Sequence, residues 1–445
     1  MEKAVDKTQE QLDLWCSAPG IEFVSKEAEE AYKTRTRRIA DAIQLKKPDR
    51  VPFVPMWEYF YARYAKVSCR DVVYDTEIAK GAARKTITEL EPDAYQAPIF
   101  FGVGSLLDAL DVKELRWPGH GIAPDMGHQF VEEQYMKADE YDDLLNDPSD
   151  FMLRKYLPRA CGNLKAFETT SPLRNLFAYW NFYPYLATLG NPEVMEATHK
   201  LLEAGQASLN YIAFLTSFDK EMHALGFPCW HGGLAGAPFD GISDTLRGTS
   251  GTVLDMYRQP EAVKETCEKF VRLLLDMAIP AAKINGVPII FIPLHKGTAN
   301  TRDGKGGLMS LEQFEEFYWP TLKKVMLALI DNGLVPNLLI EGDYTSRLEI
   351  IKDIPKGKCI YHFENIDIHK AKKILGDRVC FRGSVPLRLL ALGNPQEVRD
   401  YCKELIDVLG EGGGFIMDAS MASEDAKPEN VRAMIEFTKE YGVYR

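Results

Sequence analysis

The second half of the chain alternates short apolar runs with helical segments, and this alternation constrains the fold more than any other feature. Six runs there resemble strands and two precede them, the eight being Val51–Trp57, Pro92–Phe100, Gly226–Trp230, Val287–His295, Val335–Glu341, Cys359–Phe363, Val379–Arg382 and Phe415–Ala419. Such alternation predicts parallel strands covered by helices. A further strand is expected near Pro172–Tyr179. Because the count is close to eight, with or without this further strand, we predict an α/β fold, a (β/α)8 TIM barrel rather than an open doubly wound sheet.

Capping signals indicate where several of the helices begin and end. Ser310 and Gln313 have the spacing of a capping box, and Asn332–Gly333 is a typical helix end. Asn394 followed by Pro395 places a cap residue before a proline at the first helical position.

Two additions to the barrel are expected. Residues 1–45 predict a helical N-terminal extension, because Glu27–Gln44 is rich in Ala, Glu, Lys and Arg and contains neither Gly nor Pro. Its three arginines, Arg35, Arg37 and Arg38, are expected on a solvated face. The barrel then takes residues 46–445. Within it, the short and partly alternating pattern of Gly119–Met136 predicts an inserted antiparallel β-hairpin.

Composition excludes several classes of protein and partner. The 445 residues carry 53 Lys and Arg against 65 Asp and Glu, a net charge of −12, which argues against nucleic acid and anionic membranes as partners. The eight cysteines show no CxxC spacing, and no run is long enough to span a membrane. With no apolar signal core at its start, the chain is expected to be a reduced cytoplasmic protein. The oligomeric state stays open, a homodimer included.

Candidate functional residues stand where the predicted strands end. In a TIM barrel the active site lies at the carboxyl ends of the strands. The residues found there are Trp57, Glu58, Trp230, His231, His295, Lys296, Glu341, Asp343, His362, Glu364, Arg382, Asp418 and Ser420. Any one of them is also explained as a structural residue; Glu341 and Asp343, for example, are potential ion-pair partners of Lys296. We predict a site because several strands end this way.

The glycine-rich segments carry less information about function. Gly304–Gly307 lacks the strand and helix that flank a phosphate-binding loop. We interpret Gly297–Gly307 instead as a lid over the barrel mouth.

Four motifs resemble the uroporphyrinogen decarboxylase superfamily: Asp49–Pro52, Gly236–Phe239, Leu308–Pro320 and Lys427–Val431. The resemblance covers most of residues 35–441 and implies a single barrel. True uroporphyrinogen decarboxylases carry a Met-Arg-Gln-Ala-Gly-Arg signature for substrate carboxylates. This chain has the acidic and aromatic segment Trp57–Tyr64 in its place, so porphyrinogen decarboxylation is not expected.

The other branch resembled is that of the corrinoid-dependent methyltransferases, including those that methylate coenzyme M. The resemblance implies a thiolate-activating zinc held by His-x-Cys and a later Cys. The matching positions here are Glu341, Asp343 and Ser420. All three ligands are changed, so transfer to coenzyme M is not expected. Hard oxygen donors at these positions suit an oxygen-containing methyl donor better.

The leading hypothesis is therefore a methyltransferase of an O-demethylase system, which moves a methyl group from a methoxylated, aromatic small molecule to a corrinoid held by a partner protein. Glu341 or Asp343 would act as a general acid, with His295 and His362 as further catalytic candidates. A zinc ion on Glu341, His362 and Glu364 is the alternative means of polarising the ether oxygen. The expected substrate-binding residues are Trp57, Tyr59, Trp230, His231, Arg382 and Ser420. The alternatives are a metal-free lyase or decarboxylase acting on a small carboxylic acid, and a non-catalytic barrel that binds a small ligand.

Overall fold

The computed structural model describes residues 6–298 and 308–445 and shows parallel strands surrounded by helices. The principal helices, numbered in chain order, are α1 (Lys7–Ser17), α2 (Lys26–Ile43), α3 (Thr76–Leu90), α4 (Phe182–Leu189), α5 (Pro192–Ala224), α6 (Gly248–Arg258), α7 (Pro260–Asn285), α8 (Trp319–Asp331), α9 (Ile368–Leu375), α10 (Pro395–Leu409) and α11 (Pro428–Tyr441). Shorter helical segments include Phe60–Ala65, Cys69–Tyr74, Gly104–Leu110, Tyr141–Asn146 and Leu387–Leu392.

The strands form two sheets. The small sheet contains β1 (Leu115–Pro118), β2 (Gly121–Ile122) and β3 (Gln129–Phe130). The large sheet is parallel and follows chain order through β4 (Gly233–Leu234), β5 (Ile289–Leu294), β6 (Val335–Asp343), β7 (Ile360–Asn365), β8 (Cys380–Arg382) and β9 (Phe415–Ile416). Parallel neighbours in chain order, each joined through helices, are the arrangement of a (β/α)8 barrel.

Two extended segments without regular strands close the large sheet into a barrel. Phe53 forms a parallel bridge with Met417 beside β9, and Tyr95 forms one with Cys229 just before β4. The Asp93 amide donates to the Phe53 carbonyl over 2.8 Å, which joins these two segments to each other. The predicted (β/α)8 barrel is thus confirmed. Its eight staves, as we call the positions around the barrel axis, are the two extended segments followed by the six strands β4 to β9.

The Pro172–Tyr179 strand prediction is wrong. Two 3-10 turns, Leu173–Phe177 and Tyr179–Asn181, lie there instead. The barrel is complete without this segment, so its apolar residues find no sheet to join, and Phe177 remains 84% exposed. This run of aromatic residues has the composition of a strand, but it does not form one.

The inserted hairpin begins earlier than the sequence indicates. β1 pairs antiparallel with β3 through Leu115–Phe130 and Arg116–Gln129, and parallel with β2. The capping boxes of Ser310 and Asn394 are both present. The first opens a short helix that continues through a π-turn, Phe314–Tyr318, into α8.

The N-terminal helices α1 and α2 pack on the barrel, and the prediction of a solvated arginine face is wrong for Arg38. Its guanidinium is buried and donates to Asp93 over 2.5 Å and to Asp49 over 2.6 Å. Arg50 also contacts Asp93, at 2.8 Å. Because Asp93 is 1% exposed, this buried charge cluster fixes α2 against the first two staves. Among the described residues, no helix has the length and apolar character needed to cross a membrane.

Candidate functional site at the barrel mouth

Alternation along the strands separates an apolar outer face from a polar interior. In β7, His362 lies in register with Leu339 of β6 and Arg382 of β8. The residues on either side of it, Tyr361 and Phe363, belong to the hydrophobic core. The interior face therefore carries the polar side chains that the sequence places at strand ends.

The deepest of these predicted residues form one buried network. Arg382 donates to Asp418 over 2.9 Å, and its guanidinium lies 5.0 Å from the centre of the Trp230 ring. His362 Nε2 donates to the Ala419 carbonyl over 2.7 Å. The amide of Asn337, another interior residue, donates to His231 Nε2 over 2.9 Å.

Burial controls the charges in this network. It holds the pKa of both His231 and His362 well below the ordinary histidine value, with the positive charge of Arg382 acting in the same direction. Burial also raises the pKa of Asp418 to about 7, although Arg382 opposes the change. A neutral, buried His362 that donates its Nε2 proton to a carbonyl is a poor general acid. We therefore assign this network a structural role inside the barrel and not a role in proton transfer at the mouth.

Trp57 and Ser420 are buried as well. Trp57 is completely buried, with its ring against those of Phe60 and Tyr61. Ser420 is buried too, and its backbone amide donates to the Val385 carbonyl over 2.8 Å.

A group of four side chains occupies the mouth at the ends of β5 and β6, and we name Asp240, Asp244, His295 and Glu341 the acid–histidine group. His295 Nδ1 donates to Asp244 Oδ2 over 2.6 Å, and its Nε2 lies 3.6 Å from Glu341 Oε1. Asp240 fixes the backbone below, because its Oδ2 accepts from the His295 amide and from the Tyr318 hydroxyl, both over 2.8 Å. The imidazole is therefore held between two carboxylates.

The acid–histidine group retains protons at neutral pH. Burial lowers the pKa of His295, but the hydrogen bond to Asp244 and the charges of Asp240 and Glu341 outweigh it, and the result is about 9. Burial raises the pKa of Glu341, with Glu364 and Asp244 adding to the effect against His295 and Lys296. Asp240 reaches about 7, from burial and then from the Asp244 charge. A protonated imidazole beside a carboxyl of raised pKa is a proton-donating arrangement.

Lys296 neutralises the outer side of this group. Its Nζ lies 3.2 Å from Asp244 Oδ1 and 3.3 Å from Glu132 Oε2. Glu132 itself accepts from the backbone and hydroxyl of Thr249. Sequence reasoning missed Asp240, Asp244 and Glu132 because none of them ends a strand. The one available signal is that Asp240 directly follows the Gly236–Phe239 motif.

A second group, Glu58, His128 and Glu424, stands on the opposite rim, and we name it the Glu58 group. One donor atom from each residue lies within 4.8 Å of the others. Glu58 follows the first stave with a φ of 42°, a left-handed conformation that is uncommon outside glycine. Sequence reasoning found Glu58 but missed His128, which the small sheet brings in, and Glu424, which lies in the loop after β9.

Aromatic rings surround the Glu58 group. The His128 ring stacks on Phe100 with centroids 3.7 Å apart, and Tyr59 lies 5.7 Å from His128. Burial lowers the pKa of His128 to about 4, so its imidazole is neutral. Burial, and then the charges of Glu424 and Glu341, raise the pKa of Glu58 well above the ordinary value. Glu58 follows the first extended segment of the barrel and Glu341 lies near the end of β6, so both groups stand at the carboxyl ends of the barrel strands and share one mouth.

The predicted zinc set of Glu341, His362 and Glu364 is not among the groups whose donor atoms come within 4.8 Å of one another in the described residues. His362 points to Ala419, Glu364 accepts from the Gly342 amide over 2.6 Å, and Asp343 accepts from the Thr345 amide over 2.7 Å. A register shift in β6 between Ile340 and Asp343 separates these side chains.

Two other groups do bring three potential metal ligands together: the Glu58 group, and Asp240, Asp244 and His295. In the second, the histidine is protonated and Lys296 already balances Asp244. The Glu58 group combines a neutral imidazole with two carboxylates, which is a donor set that zinc accepts. The predicted lid over Gly297–Gly307 lies largely outside the described residues, as does all of the Gly304–Gly307 segment.

Comparisons with known proteins agree with this architecture. The profile of the family described as "Uroporphyrinogen decarboxylase (URO-D)" matches residues 219–441. The chain is similar to the uroporphyrinogen decarboxylase of Chlorobaculum parvum, at 23% identity over 190 residues, which are 42% of this chain and 51% of that protein. For the uroporphyrinogen decarboxylase of Chlorobium phaeovibrioides the identity is 27% over 145 residues, 31% of this chain and 40% of that protein. The chain thus spans about half the length of the curated relatives it matches.

Among solved structures, the fold is similar to that of a methyltransferase from Methanosarcina mazei. The TM-score is 0.58 at 14% sequence identity, and the match covers 92% of this chain and 98% of that one. At this identity the similarity concerns the fold.

Proposed function

Since this chain belongs to the uroporphyrinogen decarboxylase family, we propose that its barrel mouth is an active site, and that it transfers a methyl group from a methoxylated aromatic compound to the cobalt of a corrinoid on a partner protein. Family membership supports an enzyme of this barrel type, and the fold similarity to a methyltransferase supports the reaction class. The substrate and the corrinoid acceptor are the finer parts of the proposal.

The observation that carries the proposal is the protonated His295 beside Glu341. An aryl methyl ether is unreactive because its leaving group is a phenolate. A proton delivered to the ether oxygen as the C–O bond breaks removes that obstacle. His295, with a pKa of about 9, holds a proton at neutral pH, and burial raises the pKa of the neighbouring Glu341 above its ordinary value. The 3.6 Å between them allows one to replenish the other.

The proposed step balances in atoms and electrons. Cob(I)alamin supplies an electron pair to the methyl carbon, the C–Co bond forms and the C–O bond breaks. The oxygen keeps the C–O electron pair and takes the proton, so a phenol and methyl-cob(III)alamin leave. Asp244 holds the imidazole in position over 2.6 Å, and Asp240 fixes the backbone beneath it. Neither of these carboxylates needs to contact the substrate.

The aromatic wall of the mouth supports an aromatic donor. Tyr59, Phe100 and His128 present rings within 3.7–6.5 Å of one another beside Glu58. A substrate ring inserted there would gain offset or edge contacts that stabilise it beyond simple burial. Of the predicted substrate-binding residues, Tyr59 is the one that lies on this wall.

The thiolate-activating zinc of the corrinoid-dependent methyltransferases does not fit the positions where the resemblance places it. Those positions hold Glu341, Asp343 and Ser420. Hard oxygen donors are poor substitutes for cysteine ligands, and Asp343 already accepts a backbone hydrogen bond. The proposed step therefore uses protons of this chain's own side chains.

A cobalt-absorption assay tests the proposal. The protein is mixed with a reduced corrinoid protein and a panel of methoxylated aromatic compounds, and the loss of the Co(I) spectrum is followed. We expect methyl-cobalt formation with at least one donor, and a loss of at least about 100-fold in Glu341→Gln. Glu133→Gln, an exposed glutamate of the inserted segment, is the matched control and should retain the rate. Retained rate in Glu341→Gln with normal folding would remove Glu341 from the mechanism.

A second candidate is a lyase or decarboxylase acting on a small carboxylic acid, favoured by the names of the curated relatives, which are uroporphyrinogen decarboxylases. The same proton donors would then protonate the carbanion left by CO2. Release of CO2 from a panel of aromatic acids, without any change in the cobalt spectrum, would select this candidate.

A further inference from the structure

A groove lies on the outer flank of the barrel, between α5 and α7. It has a volume of about 890 Å3, which is within the range that small-molecule sites occupy. Ile212 of α5 and Ile284 of α7 form its walls, and they are 57% and 83% exposed. None of the described residues that line it belongs to the acid–histidine group or the Glu58 group. The groove is therefore distinct from the barrel mouth.

The deep side of the groove is formed by the barrel strands themselves. Gln96 and Ala97, at the end of the second stave, line it together with Gly233 of β4. A Cβ atom at Gly233 would come within 3.1 Å of the Ala278 carbonyl oxygen of α7, so glycine allows this helix to lie close to the strand. A ligand in the groove would thus contact strand residues below and helix side chains on either side.

Two polar side chains of the groove have hydrogen-bonding capacity that the chain does not use. Gln96 is 4% exposed, and its Oε1 has no hydrogen-bond partner among the described residues. Asp219 of α5 lines the same groove and accepts a hydrogen bond from the Tyr95 hydroxyl through Oδ1 over 2.5 Å. That bond occupies one of its two carboxylate oxygens. Because a buried polar atom without a partner costs free energy, both side chains favour a ligand that brings hydrogen-bond donors.

The Asp219 carboxylate, half-buried in the groove, also lacks a counter-charge. In the part of the chain that the structure describes, no basic side chain forms an ion pair with it. Burial raises its pKa to about 6, although the Tyr95 hydrogen bond opposes the change, so the carboxylate is largely ionised at neutral pH. His223, one turn further along α5, is neutral, because burial lowers its pKa to about 4. Since charges removed from water are normally paired, a cation is what this groove lacks.

The other polar side chains described in the groove are already engaged or exposed. Three of them are hydrogen bonded within the chain: Tyr211 to the Ile99 carbonyl over 2.7 Å, Asn285 to the Gly232 carbonyl over 2.8 Å, and His231 to Asn337 over 2.9 Å. At the rim, the exposed Glu22 and Lys220 carry opposite charges. The charge and the free acceptors of the groove are therefore those of Asp219 and Gln96.

We infer that this groove binds a small organic cation, a molecule with an apolar body and a protonated amine. The amine would donate hydrogen bonds to the Asp219 carboxylate and to Gln96 Oε1, and an ammonium group has three donors to offer. The apolar body would lie along Ile212 and Ile284. An anion would be repelled by Asp219, and a neutral apolar molecule would leave both acceptors without a donor. This inference does not depend on the proposed methyl transfer.

The test uses dansylcadaverine, a fluorescent naphthalene sulfonamide with a primary amine at the end of its chain. Its emission rises and shifts to shorter wavelength when the ring leaves water. We expect saturable binding to the full chain with a Kd of about 10 µM, an affinity typical of a ligand of this size. The N-acetylated form has the same ring but no charge, and it should bind at least about 10-fold more weakly.

Variants locate the probe in the groove rather than among the carboxylates of the barrel mouth. Asp219→Asn should weaken binding of the amine probe about 10-fold and leave the acetylated probe unaffected, which also shows that the variant is folded. Ile212→Lys adds a like charge to the wall and should weaken the amine probe as well. Leu209→Lys, at an exposed leucine of α5 outside the groove, is the matched control and should bind as the wild type does.

Equal affinity for the two probes would reduce the groove to an apolar surface without charge recognition. That outcome, unchanged affinity of the amine probe in both variants, or no saturable binding up to about 1 mM would overturn the inference.

Discussion

Replacing Asp244 by asparagine should lower the pKa of His295 and move the high-pH limit of activity with it. The hydrogen bond from His295 Nδ1 to Asp244 is the largest influence that raises this pKa, while the charges of Asp240 and Glu341 remain in the variant. Burial, which lowers the pKa, is unchanged. We therefore expect the value to fall from about 9 by about two units towards the ordinary 6.5.

The magnitude follows from the fraction of protonated imidazole. At pH 8 a histidine with a pKa of about 9 is about 90% protonated, and one with a pKa of about 7 is about 10% protonated. If His295 supplies or relays the proton, the variant should lose about ten-fold in rate at pH 8 and much less at pH 6. The same shift affects stability, with a sign that follows from linkage. Because the pKa of His295 is higher in the folded chain than in the unfolded chain, protonated His295 stabilises the folded protein at pH values below the unfolded-state pKa. This stabilisation is lost as the pH rises through about 9.

Two measurements test this prediction together. Nitrogen-detected NMR titration of His295 gives its pKa, and the pH dependence of the methyl-transfer rate gives the activity limit. Asp343→Asn is the matched control, because Asp343 lies on the same rim but hydrogen bonds to the Thr345 amide. An unchanged His295 pKa in Asp244→Asn, or an equal fall in the control, would refute the electrostatic reasoning.

Three further outcomes are expected. Asp93→Ala should reduce the free energy of unfolding by about 3–5 kcal/mol, because it leaves the buried Arg38 and the half-buried Arg50 without their shared carboxylate. Urea unfolding followed by circular dichroism measures this change. In the wild type, the lowered pKa of Asp93 means that this contribution is fully present above the ordinary aspartate value of about 3.9 and is lost as the pH falls below it. Phe100→Ala should raise KM for an aromatic donor more than it lowers kcat, since the ring contributes binding on the wall and no proton; steady-state kinetics separates the two. Added Co2+ should bind at the Glu58 group, so its visible absorption should disappear in His128→Ala and persist when the acid–histidine group is changed.

The sequence was sufficient to predict the barrel because its information is local and repetitive. Buried parallel strands such as β5 and β6 read as continuous apolar runs, and capping residues such as Ser310 mark helix starts directly. The first two staves were also found, although they pair through single bridges at Phe53 and Tyr95. The error at Pro172–Tyr179 arose because exposed aromatic residues have the composition of a strand without its burial.

The site was only partly predictable because its members come from segments that contact each other only in the folded chain. His295, Glu341 and Glu58 end staves, and the rule of strand ends located them. Asp240 and Asp244 lie in a helical turn and Glu424 in a loop, where no periodicity marks them. His362 is completely buried inside the barrel whereas Glu341 is only half-buried at the mouth, although both are strand-end residues in the sequence. Distances across the barrel depend on twist and register, which a single sequence does not contain.

The most direct test of the central claim is a single-turnover measurement of cobalt methylation with wild-type protein, a reduced corrinoid protein and the best donor of the methoxylated panel. The account predicts that the Co(I) absorption disappears with equimolar release of a phenol, and that Glu341→Gln slows this step while binding the donor normally. Full reduction of the corrinoid with no methyl-cobalt formed from any methoxylated donor would contradict it.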